Sequence, residues 1–87
     1  MSGSYHPVQS EASIVFPFDA RGIAKRFRHA AIFAAVDMLR PGETVRLVSE
    51  CDLMPLQEQM RRRYGTAVTS RLVERGAERV VVDFIRA

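Results

Sequence analysis

One uninterrupted segment, Ala24 to Arg40, constrains the fold of this 87-residue chain more than any other feature. It contains neither glycine nor proline, and Pro41-Gly42-Glu43-Thr44 follows it as a stop signal. Apolar residues recur along it at helical spacing, at Phe27, Ala30, Ala31, Ala34, Ala35 and Met38. The sequence therefore predicts a long helix over about 24–40, with an apolar stripe that packs closely against a sheet.

Two short apolar segments, 14–18 and 45–49, flank this helix and are predicted to be β-strands. Pro17 has no backbone N–H, so the first strand is expected at a sheet edge or an irregular end. Asp19 to Gly22 then connects strand to helix, and Gly22 is expected to supply the conformational freedom for a sharp turn.

The rest of the chain predicts a second helix and a β-hairpin. The helix is expected from about Met54 to Tyr64, with Asp52 as its N-cap and Gly65 after its last turn. Alternating apolar residues predict antiparallel strands over 67–75 and 79–86.

The predicted order is β-α-β-α-β-β. Right-handed crossovers in its two βα units place both helices on one face of the sheet. We expect an α/β (α+β) two-layer sandwich with a mixed four-stranded sheet, whose other face meets solvent or a partner. Residues 1–12 are polar and unpatterned, so they are expected to be a disordered tail before a single domain at 13–87.

Composition narrows the function classes. The net charge is +3, and all cations except Lys25 are arginine. Cys51 is the single cysteine, which excludes an internal disulfide and a cysteine-cluster zinc site. We predict neither a metal nor a cofactor. No apolar run is long enough to span a bilayer and the first residues do not resemble a secretion signal, so we expect a cytoplasmic protein.

Cations concentrate where the first helix is predicted to begin, within residues 19–29, here called the basic loop. Its candidate binding residues are Arg21, Lys25, Arg26, Arg28 and His29. Because a helix N-terminus carries partial positive charge, cations there oppose helix stability. Guanidinium groups together with helix N–H groups suit a phosphate or a carboxylate. The alternative is a solvated arginine-rich face, with Arg21 paired to Asp19 to hold the loop.

Residues 50–56 are expected beside the basic loop, because both segments follow parallel strands. Cys51 lies between a strand end and a helix start, where the pKa of a thiol can fall. The flanking carboxylates of Glu50 and Asp52 act in the opposite direction. Cys51 is therefore either a reactive thiol or a small buried side chain, and Asp52 is either a binding residue or a cap.

A second basic cluster, Arg61–Arg63, ends the second helix. Cations suit a helix C-terminus, and three consecutive side chains splay around the helix, so a solvated role explains them. Contact with a partner or a nucleic acid is the alternative.

The element order resembles that of the TusA/SirA-like small proteins, which are sulfur carriers or regulators. The resemblance covers roughly residues 14–87 and depends most on Phe18-Asp19-Ala20-Arg21-Gly22 and Pro41-Gly42-Glu43-Thr44. In TusA-type carriers a Cys-Pro-x-Pro motif begins the helix, and its cysteine accepts a persulfide. Lys25, Arg26, Phe27 and Arg28 occupy those positions here. The resemblance thus implies the fold without the family's sulfur acceptor.

Residues 50–56, which include Pro55, resemble the His-Asp-Pro-x-Pro-Leu stretch of a cysteine-less branch of that superfamily, catalogued as a domain of unknown function. Cys51 stands where that branch usually has histidine. Its members often occur beside hemerythrin-like or other small redox-associated modules. The resemblance therefore implies a protein partner from redox or sulfur metabolism.

The leading prediction is a small non-catalytic binding or regulatory module that contacts an acidic partner or a small anion through residues 19–29. One alternative is a persulfide carrier that uses Cys51. Another is RNA or DNA binding through the basic clusters, where Phe27 and Tyr64 offer few surfaces for base stacking. No catalytic arrangement is recognisable, so an enzyme is not expected, and the oligomeric state stays open.

Overall fold

The computed structural model describes residues 14–50 and 53–87. Its first half contains strand β1 (Val15–Asp19), a 3₁₀ turn (Ala20–Gly22), helix α1 (Lys25–Asp37) and strand β2 (Thr44–Ser49). Its second half contains helix α2 (Met54–Tyr64), a second 3₁₀ turn (Gly65–Ala67), strand β3 (Val68–Arg75) and strand β4 (Val80–Arg86). This order of helices and strands confirms the predicted β-α-β-α-β-β arrangement.

The four strands form one mixed sheet in the order β1-β2-β4-β3. β1 and β2 are parallel, while β4 pairs antiparallel with β2 on one side and with β3 on the other. The predicted hairpin is therefore confirmed, and so is the position of Pro17 in an edge strand.

The core lies between one face of the sheet and both helices. Leu47 and Phe84 from the central strands are fully buried, and Ile32 of α1 and Leu56 of α2 pack into the same cluster. Burial of each such side chain stabilises the fold by about 1.5–3 kcal/mol. The predicted two-layer sandwich, with both helices on one face, is confirmed.

Helix α1 differs from the prediction in its length and in its buried face. It ends at Asp37 instead of Arg40, because Met38 already bonds back to the last turn as a C-cap. The residues that it buries are Arg28, Ile32 and Val36, whereas Phe27 is 55% exposed and Met38 81% exposed. The stripe was predicted from apolar residues alone. The guanidinium of Arg28 has hydrogen-bond acceptors inside the protein, so this side chain can be buried. The buried face of α1 is therefore rotated from the predicted apolar stripe toward Arg28.

The turns also correct two expectations. Gly22 does not adopt a positive φ, and a Cβ added there would meet no atom within 4 Å, so the expected need for glycine is not found. Gly42 does need its flexibility, with a φ of 88° and an N–H that donates to the Arg86 carbonyl at 2.9 Å. Leu53, not Asp52, is the N-cap residue of α2, and it makes no side-chain capping bond.

The predicted end of α2 at Gly65 is confirmed, and a proline marks the beginning of this helix. Pro55 lies in its first turn, where a missing N–H costs nothing. Gly65 is its C-cap residue, with a φ of 59° and an N–H that donates to the Arg61 carbonyl. Among the described residues, neither helix combines the length and the apolar character needed to cross a membrane.

The helix-free face of the sheet carries a charged row across three strands. Asp83 of β4 is buried, and Arg46 of β2 holds its carboxylate through two hydrogen bonds of 2.8 and 2.9 Å. Arg71 of β3 lies on the other side, with its Nη2 3.7 Å from the same carboxylate. The three residues are direct cross-strand partners, so the register of the sheet brings these charges together.

Candidate binding site at the start of the first helix

The basic loop lies where the carboxyl ends of β1 and β2 meet. Because these strands are parallel, Asp19 and Ser49 end them at the same edge of the sheet. An ion pair of 3.1 Å between Arg28 Nη1 and Glu50 Oε1 ties the loop to the residue after β2. The structure therefore brings the basic loop beside Glu50, whereas Cys51 and Asp52 lie outside the described residues.

Asp19 and Arg21 form a closed pair at the beginning of the loop. The Asp19 carboxylate accepts two hydrogen bonds from the Arg21 guanidinium, at 2.9 and 2.8 Å, and one from the Arg21 backbone N–H at 3.0 Å. The side-chain bonds to Arg21 lower the pKa of Asp19 to about 2. These contacts use the Nε and Nη2 donors of the Arg21 guanidinium, so its observed role is to hold the 3₁₀ turn in place.

Arg28 is also turned inward. It is buried, and its Nε and Nη2 donate to the Ile23 carbonyl at 3.1 and 2.8 Å, while its Nη1 donates to Glu50. The pKa of Glu50 is lowered, first by its own backbone N–H and then by Arg28 and Lys25. Arg28 therefore joins the loop, the helix and the end of β2, and its guanidinium does not face outward as a ligand-binding group would.

Three of the predicted binding residues do face solvent. Lys25, Arg26 and His29 are exposed on the first two turns of α1. The Arg26 guanidinium carbon lies 4.7 Å from the centre of the Phe27 ring, within the range of a cation–π contact. Helical spacing predicted Phe27 on the buried stripe, whereas its ring is 55% exposed beside Arg26.

The backbone at this helix start has no side-chain cap. The N-cap residue is Ala24, which has no group to accept from the first N–H groups, and the first turn contains no acid. Neither the N-cap residue nor an acid of the first turn therefore compensates the positive end of the helix dipole. A carboxylate or a phosphate from another molecule would satisfy it.

The second basic cluster, Arg61–Arg63, has different surroundings. Arg61 pairs with Glu58 on the same helix, and Arg63 reaches across to Asp37 of α1 at 3.2 Å. The contacts of Arg61 and Arg63 thus diverge, as expected for consecutive helical positions, and they leave Arg62 exposed.

Arg63 also belongs to a small cluster that joins the two helices. Its guanidinium carbon lies 4.9 Å from the Phe33 ring centre and 5.6 Å from that of Tyr64. The Tyr64 hydroxyl donates to Asp37, and burial followed by this carboxylate raises the pKa of Tyr64. This cluster could not be predicted from sequence patterns, because Phe33 and Asp37 are far from Arg63 and Tyr64 along the chain.

An apolar groove of about 290 Å³ lies between β1 and the end of α1, lined by Phe16, Phe18, Met38 and Leu39, among others. None of the residues that line this groove belongs to the basic loop. Within residues 14–50 and 53–87, no three histidine, cysteine or acidic side chains are grouped so that they could hold a metal ion.

Comparison with known proteins gives one match. The sequence model of a family described as an uncharacterized conserved protein, DUF2249, matches residues 17–86. The matched range contains the basic loop, both helices and nearly all of the sheet. No curated protein and no solved structure matches the chain.

Proposed function

Since the chain belongs to the DUF2249 family, we propose that this member is a small non-catalytic binding module whose basic loop docks onto an acidic surface of a cytoplasmic protein. The observation that carries the proposal is the start of α1. A helix of 13 residues begins there without a side-chain cap, without an acid in its first turn, and with Lys25 and Arg26 exposed. Each of these features lowers helix stability in isolation and favours an anionic ligand.

The exposed ring of Phe27 favours a protein surface over a small anion. Aromatic residues and arginine are enriched in the centres of protein interfaces, where they account for much of the binding energy. A phosphate ion would use Lys25 and Arg26 and leave the ring in water. A protein would bury the ring and pair the cations around it.

The loop is held in place before any partner arrives. Asp19 and Arg21 close its beginning, and Arg28 fastens it to Ile23 and Glu50. A loop that is already ordered loses less conformational entropy on binding. The inward-facing residues of the basic loop thus support the binding by its outward-facing residues.

Kinship with the TusA/SirA-like proteins is part of the proposal. It is supported by the order of elements and by the two quoted motifs, and it fails at the helix start, where Lys25 replaces the persulfide-accepting cysteine. A sulfur carrier would have to use Cys51. The neighbouring Glu50 carboxylate disfavours a thiolate there, so we place binding ahead of sulfur transfer.

The proposal can be tested by calorimetric titration with a defined acidic probe, a short peptide of alternating glutamate and leucine, at low salt. The double variant Lys25→Glu/Arg26→Glu should abolish measurable binding. The variant Arg61→Glu/Arg62→Glu changes the net charge equally and should bind with less than a threefold loss, about 0.6 kcal/mol. If both variants lost the same amount of binding affinity, net charge alone would explain the binding, and the proposal would be overturned.

Further arms of the same titration identify the class of ligand. Phe27→Ala should weaken peptide binding while leaving any weak binding of inorganic phosphate unchanged. If phosphate binds the wild type more tightly than the peptide does, the site is for small anions. If a generic single-stranded oligonucleotide binds best, with a steep salt dependence, the nucleic-acid alternative is correct.

A further inference from the structure

The two edges of the sheet differ in their capacity to accept another strand. The Ile14 carbonyl, just before β1, accepts a hydrogen bond from the Thr44 backbone N–H of β2. Because the direction alternates along a strand, the even-numbered residues of β1 direct their backbone N–H and C=O groups to β2. The odd-numbered residues, among them Pro17, then direct theirs to the outside. Proline has no N–H to donate, so the outer edge of β1 is interrupted in its middle.

The outer edge of β3 carries no such interruption. β3 extends over eight residues without proline, and all of them except Val68 are exposed. The Ala87 N–H donates to the Ala67 carbonyl at 2.8 Å. With the register of the two strands, this bond shows which residues of β3 direct their backbone groups to β4 and which direct them outward. By this alternation Ser70 and Leu72 direct their backbone N–H and C=O groups away from β4, to the outside.

An irregularity between Leu72 and Glu74 gives this edge a self-complementary charge pattern. Arg71 pairs with Asp83, and Glu74 pairs with Val81, which lies on the same face of β4. The extra residue in β3 thus places Arg71 and Glu74, which have opposite charges, on the same helix-free face.

We propose that β3 pairs antiparallel with β3 of a second copy of this chain, about a two-fold axis at Leu72, with Val73 as the extra residue of each strand. In this register Arg71 of each copy stands opposite Glu74 of the other. The Glu74 carboxylate also accepts two hydrogen bonds of 2.9 Å from Arg79 of its own chain, and the Glu74 side chain is 43% exposed. The cross-strand charge contact therefore adds to this pair and forms twice in the dimer. Ser70 stands opposite Arg75, and both direct their backbone groups outward, as a hydrogen-bonded pair requires.

Apolar contact supports the same register. Leu72 is 47% exposed and Val73 is 42% exposed in the single chain. Leu72 lies at the proposed two-fold axis, where it would cover Leu72 of the second copy, and Val73 is next to it in the chain. The pairing joins two four-stranded sheets into one, with the two β1 strands at its outer edges. It leaves both basic loops accessible, because they lie at the opposite side of the sheet from β3.

Sedimentation equilibrium of the full chain over a range of concentrations tests the pairing. The wild type should dimerise, and Leu72→Pro should abolish the dimer, because it removes an outward N–H that β4 does not use. Leu72→Ala keeps that N–H and is its control, which should still dimerise. Circular dichroism establishes that each variant is folded.

Arg71→Glu keeps the test decisive if the proline variant does not fold. It turns two attractive cross-strand pairs into repulsive ones, so the dimer dissociation constant should rise about tenfold or more. Arg62→Glu makes the same charge change on α2 and should leave that constant unchanged. A wild type that stays monomeric at every concentration, or a dimer that Arg71→Glu does not weaken, would overturn the proposal.

Discussion

The two basic clusters of this protein have similar composition and lie at opposite ends of helices. At the start of α1, Lys25 and Arg26 oppose the helix dipole and face solvent without a capping side chain nearby. At the end of α2, Arg61–Arg63 agree with the dipole, and two of the three pair with acids of the protein itself. The second cluster is explained by the stability of the fold, and the first is not.

This difference shows that position relative to a helix end is more informative than the number of cations. Charges that stabilise their own helix need no further explanation. Charges that destabilise it are retained at a cost, which an acidic partner would offset under the function proposed above.

The largest effect is expected within the basic loop, at its inward-facing arginine. Arg28→Met removes the donors to the Ile23 carbonyl and to Glu50, and should lower the free energy of unfolding by roughly 2–3 kcal/mol. Arg61→Met removes only a surface pair and should cost about 0.5 kcal/mol or less. Urea unfolding followed by circular dichroism measures both. Equal losses would show that Arg28 is no more structural than a surface arginine.

Charge reversal should change stability in opposite directions at the two clusters. Lys25→Glu/Arg26→Glu places acids at a helix start and should raise the free energy of unfolding by about 0.5–1 kcal/mol. Arg61→Glu/Arg62→Glu places acids at a helix end and should lower it by a similar amount. Thermal unfolding at low salt compares the two variants. A loss of stability in both would contradict the assignment of the α1 cations to binding.

Adding the missing cap is expected to give a gain of similar size from a single substitution. Ala24 has the extended backbone conformation of an N-cap residue, with φ −55° and ψ 138°. Ala24→Ser should therefore stabilise the protein by about 0.5–1 kcal/mol, because its hydroxyl accepts from the first turn. The midpoint of urea unfolding measures the gain. Ala34→Ser, at an exposed position in the middle of α1, is the control and should give no gain.

The smallest effect concerns the pair at the beginning of the loop. The carboxylate of Asp19 is the favoured form, so the pair should persist as the pH falls through the ordinary range near 3.8 and be lost only near pH 2. In Arg21→Gln the pKa of Asp19 should return toward 3.8. Carbon-detected NMR titration of the Asp19 carboxyl reports both values. A wild-type midpoint near 3.8 would show that the pair does not form in solution.

The sequence predicts the elements and their order well, because each depends on local signals. Pro41-Gly42 ends the first helix region, Gly65 ends α2, and alternation marks the hairpin. The parallel pairing of β1 and β2 follows from the crossover, and with it the expectation that the basic loop lies beside residue 50.

The direction of individual side chains could not be predicted in the same way. Arg28 and Phe27 exchange their expected places, because the carbonyl of Ile23 and the carboxylate of Glu50 accept the buried guanidinium. Neither acceptor is recognisable from helical periodicity. The contact between Arg63 and Asp37 likewise depends on how the two helices pack against the sheet.

The most direct measurement is a residue-resolved NMR titration of the full chain with the acidic glutamate–leucine peptide. We expect the largest amide shifts at residues 23–29 and at Glu50, with little change at 61–63. Shifts centred on 61–63, or spread over both basic clusters in proportion to their charge, would contradict the claim that the start of α1 is the binding site.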